Sequence, residues 1–159
     1  MGIELERKFL VINDDWRPAG RAVHCRQAYL ATGPPVAVRV RVMDGQAYIN
    51  IKKAAIDLRR EEFEYSIPLE DGEEILEGLC LGSTIEKTRH YVEHEGFVWE
   101  IDEFEGLNAG LVVAEVEFER ENQAIPLPPW VGMEVSLDPR YLNANLALKP
   151  YSQWDPDTA

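Results

Sequence analysis

Ile3-Glu4-Leu5-Glu6-Arg7-Lys8-Phe9-Leu10 sorts its side chains with a period of two: Glu4, Glu6 and Lys8 fall on one face, Ile3, Leu5 and Phe9 on the other. That is the spacing of a β-strand, whose successive side chains point to opposite faces. The same division recurs along the chain. Arg39 and Arg41 oppose Val36, Val38, Val40 and Val42; Tyr48, Asn50 and Lys52 oppose Ala47, Ile49 and Ile51; Glu62 and Glu64 oppose Phe63, Tyr65 and Ile67. Further on, Val98, Glu100 and Asp102 oppose Phe97, Trp99 and Ile101, and Glu115 and Glu117 oppose Val112, Ala114, Val116 and Phe118. Lys87, Arg89 and Tyr91 form another charged face, which Ile85 shares and whose opposite side, Glu86, Thr88 and His90, is not apolar. This is the least regular of the strands.

Between two such runs, Asp44-Gly45 is a hairpin signal, because Gly tolerates the positive φ of the tight turn. Helix is scarce. Leu69 to Leu81 carries Ile75, Leu76 and Leu79 on one side and reads as a short amphipathic helix. Asp138-Pro139 reads as an N-cap followed by Pro at the first helical position, opening a helix of about two to three turns through Leu148. Ile125 to Gly132, with three prolines, is an irregular connector. The expected organisation is one domain over residues 1–149 and a fraying tail from Pro150 to the end.

A sheet with one face on a core and the other in water also alternates. The sorting of charge argues for a different arrangement. Same-sign pairs stand two residues apart on one strand at Glu4/Glu6, Arg39/Arg41, Glu62/Glu64, Glu100/Asp102 and Glu115/Glu117. Each pair repels itself unless an opposite charge, a metal or a ligand lies between. If the sheet closes, one set of faces lines a lumen, and the apolar set lies outside under the helices. A lumen of both signs suits a metal complex of a polyanion: Arg and Lys meet phosphate oxygens, and carboxylates hold hard divalent cations. Without a His/Cys cluster, the metal expected is Mg²⁺ or Mn²⁺. His24 and the pair His90/His94 are read as solvated, and Trp130 and Trp154 as packing residues.

The net charge of −13 argues against general nucleic-acid binding, which depends on a basic footprint. No apolar run approaches the roughly 18 residues that span a bilayer. The start is acidic and lacks the basic and apolar regions of a secretory signal, so a cytoplasmic location is expected. Cys25 and Cys80 lack CxxC spacing and are expected as reduced thiols.

The ordered series Glu4-x-Glu6-x-Lys8, Arg39-x-Arg41, Lys52, Glu62-x-Glu64, Lys87-x-Arg89, Glu100/Asp102 and Glu115-x-Glu117 resembles the CYTH superfamily, the triphosphate tunnel metalloenzymes. Gln27-Ala28-Tyr29-Leu30, Glu86-Lys87-Thr88-Arg89 and Pro129-Trp130-x-Gly132-x-Glu134-Val135 are most similar to its short bacterial members, which resemble hydrolases of inorganic tripolyphosphate. The resemblance implies a mainly β (α+β) fold: a closed eight-stranded antiparallel β-barrel, the tunnel, with a few short flanking helices. It implies a Mg²⁺- or Mn²⁺-dependent triphosphatase in which water attacks a terminal phosphorus in line. Lys8, Arg39, Arg41, Lys52, Arg60, Lys87 and Arg89 would bind the triphosphate. Glu4, Glu6, Glu62, Glu64, Glu100, Asp102, Glu115 and Glu117 are the metal-ligand candidates, and Tyr29 would work with Lys87 in catalysis. Relatives tend to carry lysines after the Arg-Tyr of the C-terminal helix, whereas this chain has Leu142 and Ala144, which puts a cationic plug from that helix in doubt. The alternatives are a class IV adenylyl cyclase, a thiamine or nucleoside triphosphatase, or a non-catalytic polyphosphate or nucleotide sensor. The partner expected is a small-molecule triphosphate or polyphosphate, with a homodimer left open.

Overall fold

A computed structural model describes residues 2–18 and 20–155. Its strands are β1 (Ile3–Val11), β2 (Arg21–Ala31), β3 (Val36–Met43), β4 (Gln46–Lys53), β5 (Arg59–Ile67), β6 (Leu81–His94), β7 (Phe97–Phe104), β8 (Val112–Glu117) and β9 (Val131–Glu134). Two helices accompany them, α1 (Leu69–Gly78) and α2 (Asn143–Leu148). The strands follow the order β5-β4-β3-β2-β6-β7-β8-β1-β9, and a further β5–β1 pairing closes the circle. Every pairing is antiparallel. β1 is the seam: Ile3, Glu4 and Leu5 pair with Glu61, Arg60 and Arg59 of β5, while Phe9 and Val11 pair with β9. The result is an eight-stranded closed barrel with β9 as an extra strand, as expected.

The seven strands legible from alternation are all present, and the Asp44-Gly45 turn joins β3 to β4 with φ of 55° and 72°. Irregular Lys87–Tyr91 lies within the longest strand, β6. Its outer face is polar at His90 because Trp16, from the β1–β2 connection, packs edge-on against that ring with centroids 4.8 Å apart. His90 also contacts Glu103 at 3.3 Å, so it is a packed residue, contrary to the expectation of a solvated one. β2 was not visible as a strand from charge sorting. Its polarity runs the other way, with Val23, Cys25, Gln27 and Tyr29 buried inward while His24 and Arg26 face outward.

Helices cover only part of the outer apolar surface. α1 lies on β3 and β4 and ends at Gly78, three residues short of the expected Leu81. The outer face of β1, β7 and β8 carries Phe9, Trp99, Ile101, Ala114 and Val116, and it is covered by Trp16 and Trp130 from non-helical connections. Trp130 stands edge-on to Trp99 at 5.5 Å. The connector holding Trp130 is irregular as expected, with β9 beginning at Val131.

The expected helix from Asp138 through Leu148 is broken. Asp138 does cap it, accepting from the Arg140 backbone N–H, with Pro139 at the first position. Only a 3₁₀ turn, Pro139–Tyr141, follows before Leu142 turns extended and α2 begins. The break lets the segment dip into one end of the barrel. There Tyr141, Leu146 and Ala147 pack against Tyr29, Ala37, Ile85, Phe104 and Val113, making an apolar stopper. Ile85 therefore shares a strand face with Lys87 because that face turns apolar at the stoppered end. The segment after Pro150 is ordered as far as it is described: Tyr151–Gln153 form a 3₁₀ turn, and Trp154 packs edge-on to Tyr141 at 5.2 Å. The expected fraying is not seen there, and residues 156–159 lie outside the described residues.

Close approach of α1 to the barrel rests on Gly72, the buried residue of that helix. A Cβ there would stand 2.5 Å from the Ala47 Cβ on β4. Gly72→Val is expected to lift α1 and cost roughly 1–3 kcal/mol, as overpacking does. Urea denaturation measures this; an unchanged midpoint would contradict the packing described.

Candidate active site

The lumen holds a cavity of about 1090 Å³ lined by charged residues from seven strands, including Glu4, Glu6, Lys8, Arg39, Arg41, Lys52, Arg60, Glu62, Glu64, Lys87, Arg89, Glu100, Glu115 and Glu117. Tyr29 also reaches it. Strand parity brings the charged residues to one space as the alternation predicts, and Arg60 and Tyr29, expected from the resemblance, join them. The register then decides which charges meet.

On the seam, Glu6 stands directly opposite Glu117, and Lys8 opposite Glu115. The second pair compensates itself, with Lys8 Nζ 3.6 Å from Glu115 Oε1. The first pair does not, since like charges facing each other across strands are destabilising. Carboxylate oxygens of Glu4, Glu6 and Glu117 all lie within 4.8 Å of one another. Arg60 reaches Glu6 at 3.1 Å and Lys52 stands 3.6 Å from Glu4, yet Glu4 Oε2 is buried with no hydrogen-bond partner. Burial first, and then the nearby Glu6 and Glu62, outweigh Lys52 and push the Glu4 carboxyl up to about 9. Glu6 is also raised, by burial and then by Glu115. An orphaned carboxylate oxygen in a trio of oxygen donors fits a hard divalent cation. Glu4, Glu6 and Glu117 are the residues placed to hold one.

The other five carboxylates are engaged differently. Asp102 is fully buried and absent from the cavity lining, with both oxygens occupied: Lys87 Nζ donates to Oδ2 at 2.7 Å, Arg89 Nε to Oδ1 at 2.8 Å and Arg89 Nη2 to Oδ2 at 2.9 Å. Burial opposes its ionisation, but Arg89 and Lys87 prevail and hold it well below the usual carboxylate range. Glu100 pairs with Arg89. Burial likewise raises Glu115, but Lys8, Arg89 and Lys87 outweigh it and leave the group at about 2. Glu62 contacts Lys52 at 3.6 Å and Arg39 at 3.7 Å, and Glu64 accepts from Asn50 Nδ2 at 2.6 Å.

The cations fall into two groups. Lys87 and Arg89 are tied to Asp102, and burial lowers Lys87 to about 8. Arg39 and Arg41 on β3 are oriented by amides instead: Arg39 Nε donates to Asn50 Oδ1 at 3.3 Å and Arg41 Nε to Gln27 Oε1 at 3.1 Å. Among the described residues Arg41 makes no ion pair, and burial with Arg39 and Arg89 nearby disfavours its charge. On the β3 wall, among the described residues, Arg39 thus has only the Glu62 ion pair and Arg41 has no counterion, a standing invitation to an anion.

Sequence reasoning gave no role to Gln27, Asn50 or Asn143, because they are neutral; lumen parity on their strands was the available signal for the first two. Asn143 Oδ1 accepts from Gln27 Nε2 at 2.7 Å and from Lys87 Nζ at 3.1 Å, and the Tyr141 carbonyl accepts from Lys8 Nζ at 3.1 Å. Tyr29 and Lys87 both line the cavity but are not hydrogen-bonded to each other; Lys87 pairs across strands with Cys25, four residues before Tyr29. Outside the barrel, His24 approaches Glu105 at 3.4 Å and Glu86 at 3.9 Å, all three half-exposed. Cys25 and Cys80 are free thiols.

A closed antiparallel barrel around a lumen of both signs defines a tunnel protein, with an acidic trio facing a basic wall. The chain belongs to the CYTH domain family, whose model matches residues 2–150. It is 44% identical to an inorganic triphosphatase of Acetivibrio thermocellus, over 97% of this chain and 99% of the relative. An inorganic triphosphatase of Nitrosomonas europaea is 39% identical over 91% and 97% of the two chains. The fold matches a crystal structure of an inorganic triphosphatase with a TM-score of 0.66 and 36% identity, covering 91% of this chain and 97% of the other. A Pyrococcus horikoshii protein shares the fold at a TM-score of 0.60 and 21% identity, covering 75% and 80%. Among the described residues, no helix is long and apolar enough to cross a membrane.

Two outcomes follow from the electrostatics. Ligation by Glu4 would need its carboxylate form, which burial disfavours, pushing the group up to about 9. Binding of a divalent cation to the trio at pH 7 is therefore expected to release a proton, with affinity rising as pH approaches 9. Calorimetry in two buffers of different ionisation enthalpy reads this, and binding without proton release would contradict the trio. Asp102→Ala, by orphaning two buried cations, is expected to cost about 3–5 kcal/mol in chemical denaturation; a loss below about 1 kcal/mol would contradict the pairing.

Proposed function

We propose that the protein hydrolyses inorganic tripolyphosphate to phosphate and pyrophosphate, using a divalent cation, Mg²⁺ or Mn²⁺. The observation that carries this is the meeting, in one cavity, of the Glu4/Glu6/Glu117 trio with the Arg39/Arg41 wall, in which Arg41 has no ion-pair partner among the described residues. The names of the two relatives, each matched over nearly its full length, support it.

Arg39 and Arg41 hold phosphate oxygens as charge donors on fixed forks, a geometry that suits phosphate. Lys8, Lys52, Arg60, Lys87 and Arg89 complete the cationic surround from neighbouring strands. Phosphoryl transfer depends on positioning and charge stabilisation more than on covalent chemistry, so these groups supply most of the acceleration. Glu4, Glu6 and Glu117 hold the cation, which when bound neutralises phosphate oxygens and polarises water. Glu62, Glu100, Asp102 and Glu115 serve the cations: Asp102 fixes Lys87 and Arg89, Glu115 fixes Lys8, and Glu62 spaces Arg39 from Lys52. Glu64 is the freest carboxylate for orienting the attacking water. As the water oxygen bonds to a terminal phosphorus, the bridging P–O bond breaks and pyrophosphate leaves. Tyr29, at the boundary between the charged lumen and the apolar stopper, donates its hydroxyl to a phosphate oxygen.

Purified protein incubated with tripolyphosphate and Mg²⁺ or Mn²⁺ is expected to release phosphate and pyrophosphate in equal amounts, and ATP incubated separately to turn over more slowly. Cyclic AMP from ATP without released phosphate would overturn the assignment. Glu117→Gln is expected to lower kcat by about 10²-fold or more, the scale of losing one charge-stabilising group. Near-normal turnover in the folded variant would remove Glu117 from the site.

A further inference from the structure

Gln27 is fully buried in the lumen wall, yet neither of its amide atoms is idle. Its Oε1 accepts from Arg41 Nε at 3.1 Å, and its Nε2 donates to Asn143 Oδ1 at 2.7 Å. That same Oδ1 accepts from Lys87 Nζ at 3.1 Å. Two neutral amides thus connect a cation on β3 to a cation on β6, and the second amide opens α2, the helix of the stopper.

A carboxylate in either place would bind its cation more strongly, since a charge-assisted hydrogen bond is roughly twice as strong as a neutral one. It would also supply the counterion that Arg41 lacks. The wall between Lys87 and Arg89 shows that alternative: Asp102 bonds both cations and offsets part of their charge. An amide gives direction to the guanidinium with little change in its charge. The charge then remains for a ligand, and the cost of leaving it unpaired is borne by the empty protein.

We propose that Gln27 and Asn143 are positioning residues, a pair of neutral amides that orient Arg41 and Lys87 for the phosphate chain while supplying no competing negative charge. The proposal rests on the reading of the tunnel as a tripolyphosphate site. It also gives α2 a second part beyond closing the barrel, because docking of the stopper sets the Lys87 position.

Asn143→Asp is the sharpest test, because Oδ1 acts only as an acceptor and a carboxylate keeps both hydrogen bonds. Gln27→Glu keeps the bond to Arg41 and adds its counterion. Both variants are expected to raise KM for tripolyphosphate and its Kd in calorimetry roughly tenfold or more, through the added charge. Their kcat should change less; the thermal midpoint of Asn143→Asp should hold or rise, whereas Gln27→Glu loses the donor to Asn143 Oδ1 and gains the Arg41 counterion in exchange. Asn143→Ala, which removes direction without adding charge, is expected to lower kcat more than it raises KM. Binding within about twofold of the unsubstituted protein in both acidic variants would overturn the proposal. So would a weakening accompanied in both by a lower thermal midpoint, which marks a purely structural role. If the unsubstituted protein binds tripolyphosphate without turnover, the hydrolase reading falls and the Kd comparison still decides the amides. If it does not bind tripolyphosphate, both fall.

Discussion

Glu6 faces Glu117 across a β-ladder inside a barrel, and Glu4 closes on both with one oxygen that no hydrogen bond reaches. Like charges in that position are unfavourable, and burial makes them more so. The barrel makes the arrangement possible, because the β1–β8 ladder and the β5–β1 pairing that closes the sheet fix where these side chains stand. Burial and the neighbouring carboxylates favour the protonated form of Glu4. On the proposed function, a divalent cation would relieve the trio in a different way, by replacing that proton. The remainder of the lumen is arranged around this acidic trio, with compensated ion pairs on the β6–β7 side and, on β3, an Arg41 that has no ion-pair partner among the described residues.

That asymmetry gives the tunnel a direction. Asp102 and Glu115 fix Lys87, Arg89 and Lys8 as a rigid, largely neutralised set. Arg39 and Arg41 are steered by the neutral amides of Asn50 and Gln27, and Arg41 has no ion-pair partner among the described residues. Along the axis, the charged section gives way to Tyr29, Ile85, Phe104 and Val113 under the stopper of Tyr141, Leu146 and Ala147. A charged, hydrated ligand is therefore confined to the part of the barrel where cations and carboxylates meet. On the proposed function, this is how a fold with little helix selects a compact polyanion.

Most of the barrel was legible in the sequence because its charge obeys the strand period. Glu4/Glu6, Arg39/Arg41, Glu62/Glu64, Glu100/Asp102 and Glu115/Glu117 each fix a strand, its inward face and a wall of the site. β2 escaped because its inward residues, Val23, Cys25, Gln27 and Tyr29, are neutral while His24 and Arg26 face out. Gln27 and Asn143 escaped for the same reason, since a neutral amide has no charge pattern to betray it. The division of carboxylates between cation holders and metal candidates depends on register, Glu6 opposite Glu117 but Lys8 opposite Glu115, and periodicity carries no register. The break at Leu142 reflects tertiary packing of the stopper, which overrides a good N-cap at Asp138.

The central claim is that one lumen holds a cation on the acidic trio and a phosphate chain on the β3 wall at the same time. A crystal structure of the protein with Mn²⁺ and a non-hydrolysable tripolyphosphate analogue, read by the anomalous signal of manganese, tests it most directly. The account predicts manganese between Glu4, Glu6 and Glu117, with phosphate oxygens within hydrogen-bond reach of Arg39 and Arg41. Manganese found only on the outer surface at His24, Glu86 and Glu105, or a phosphate chain bound outside the lumen, would contradict it.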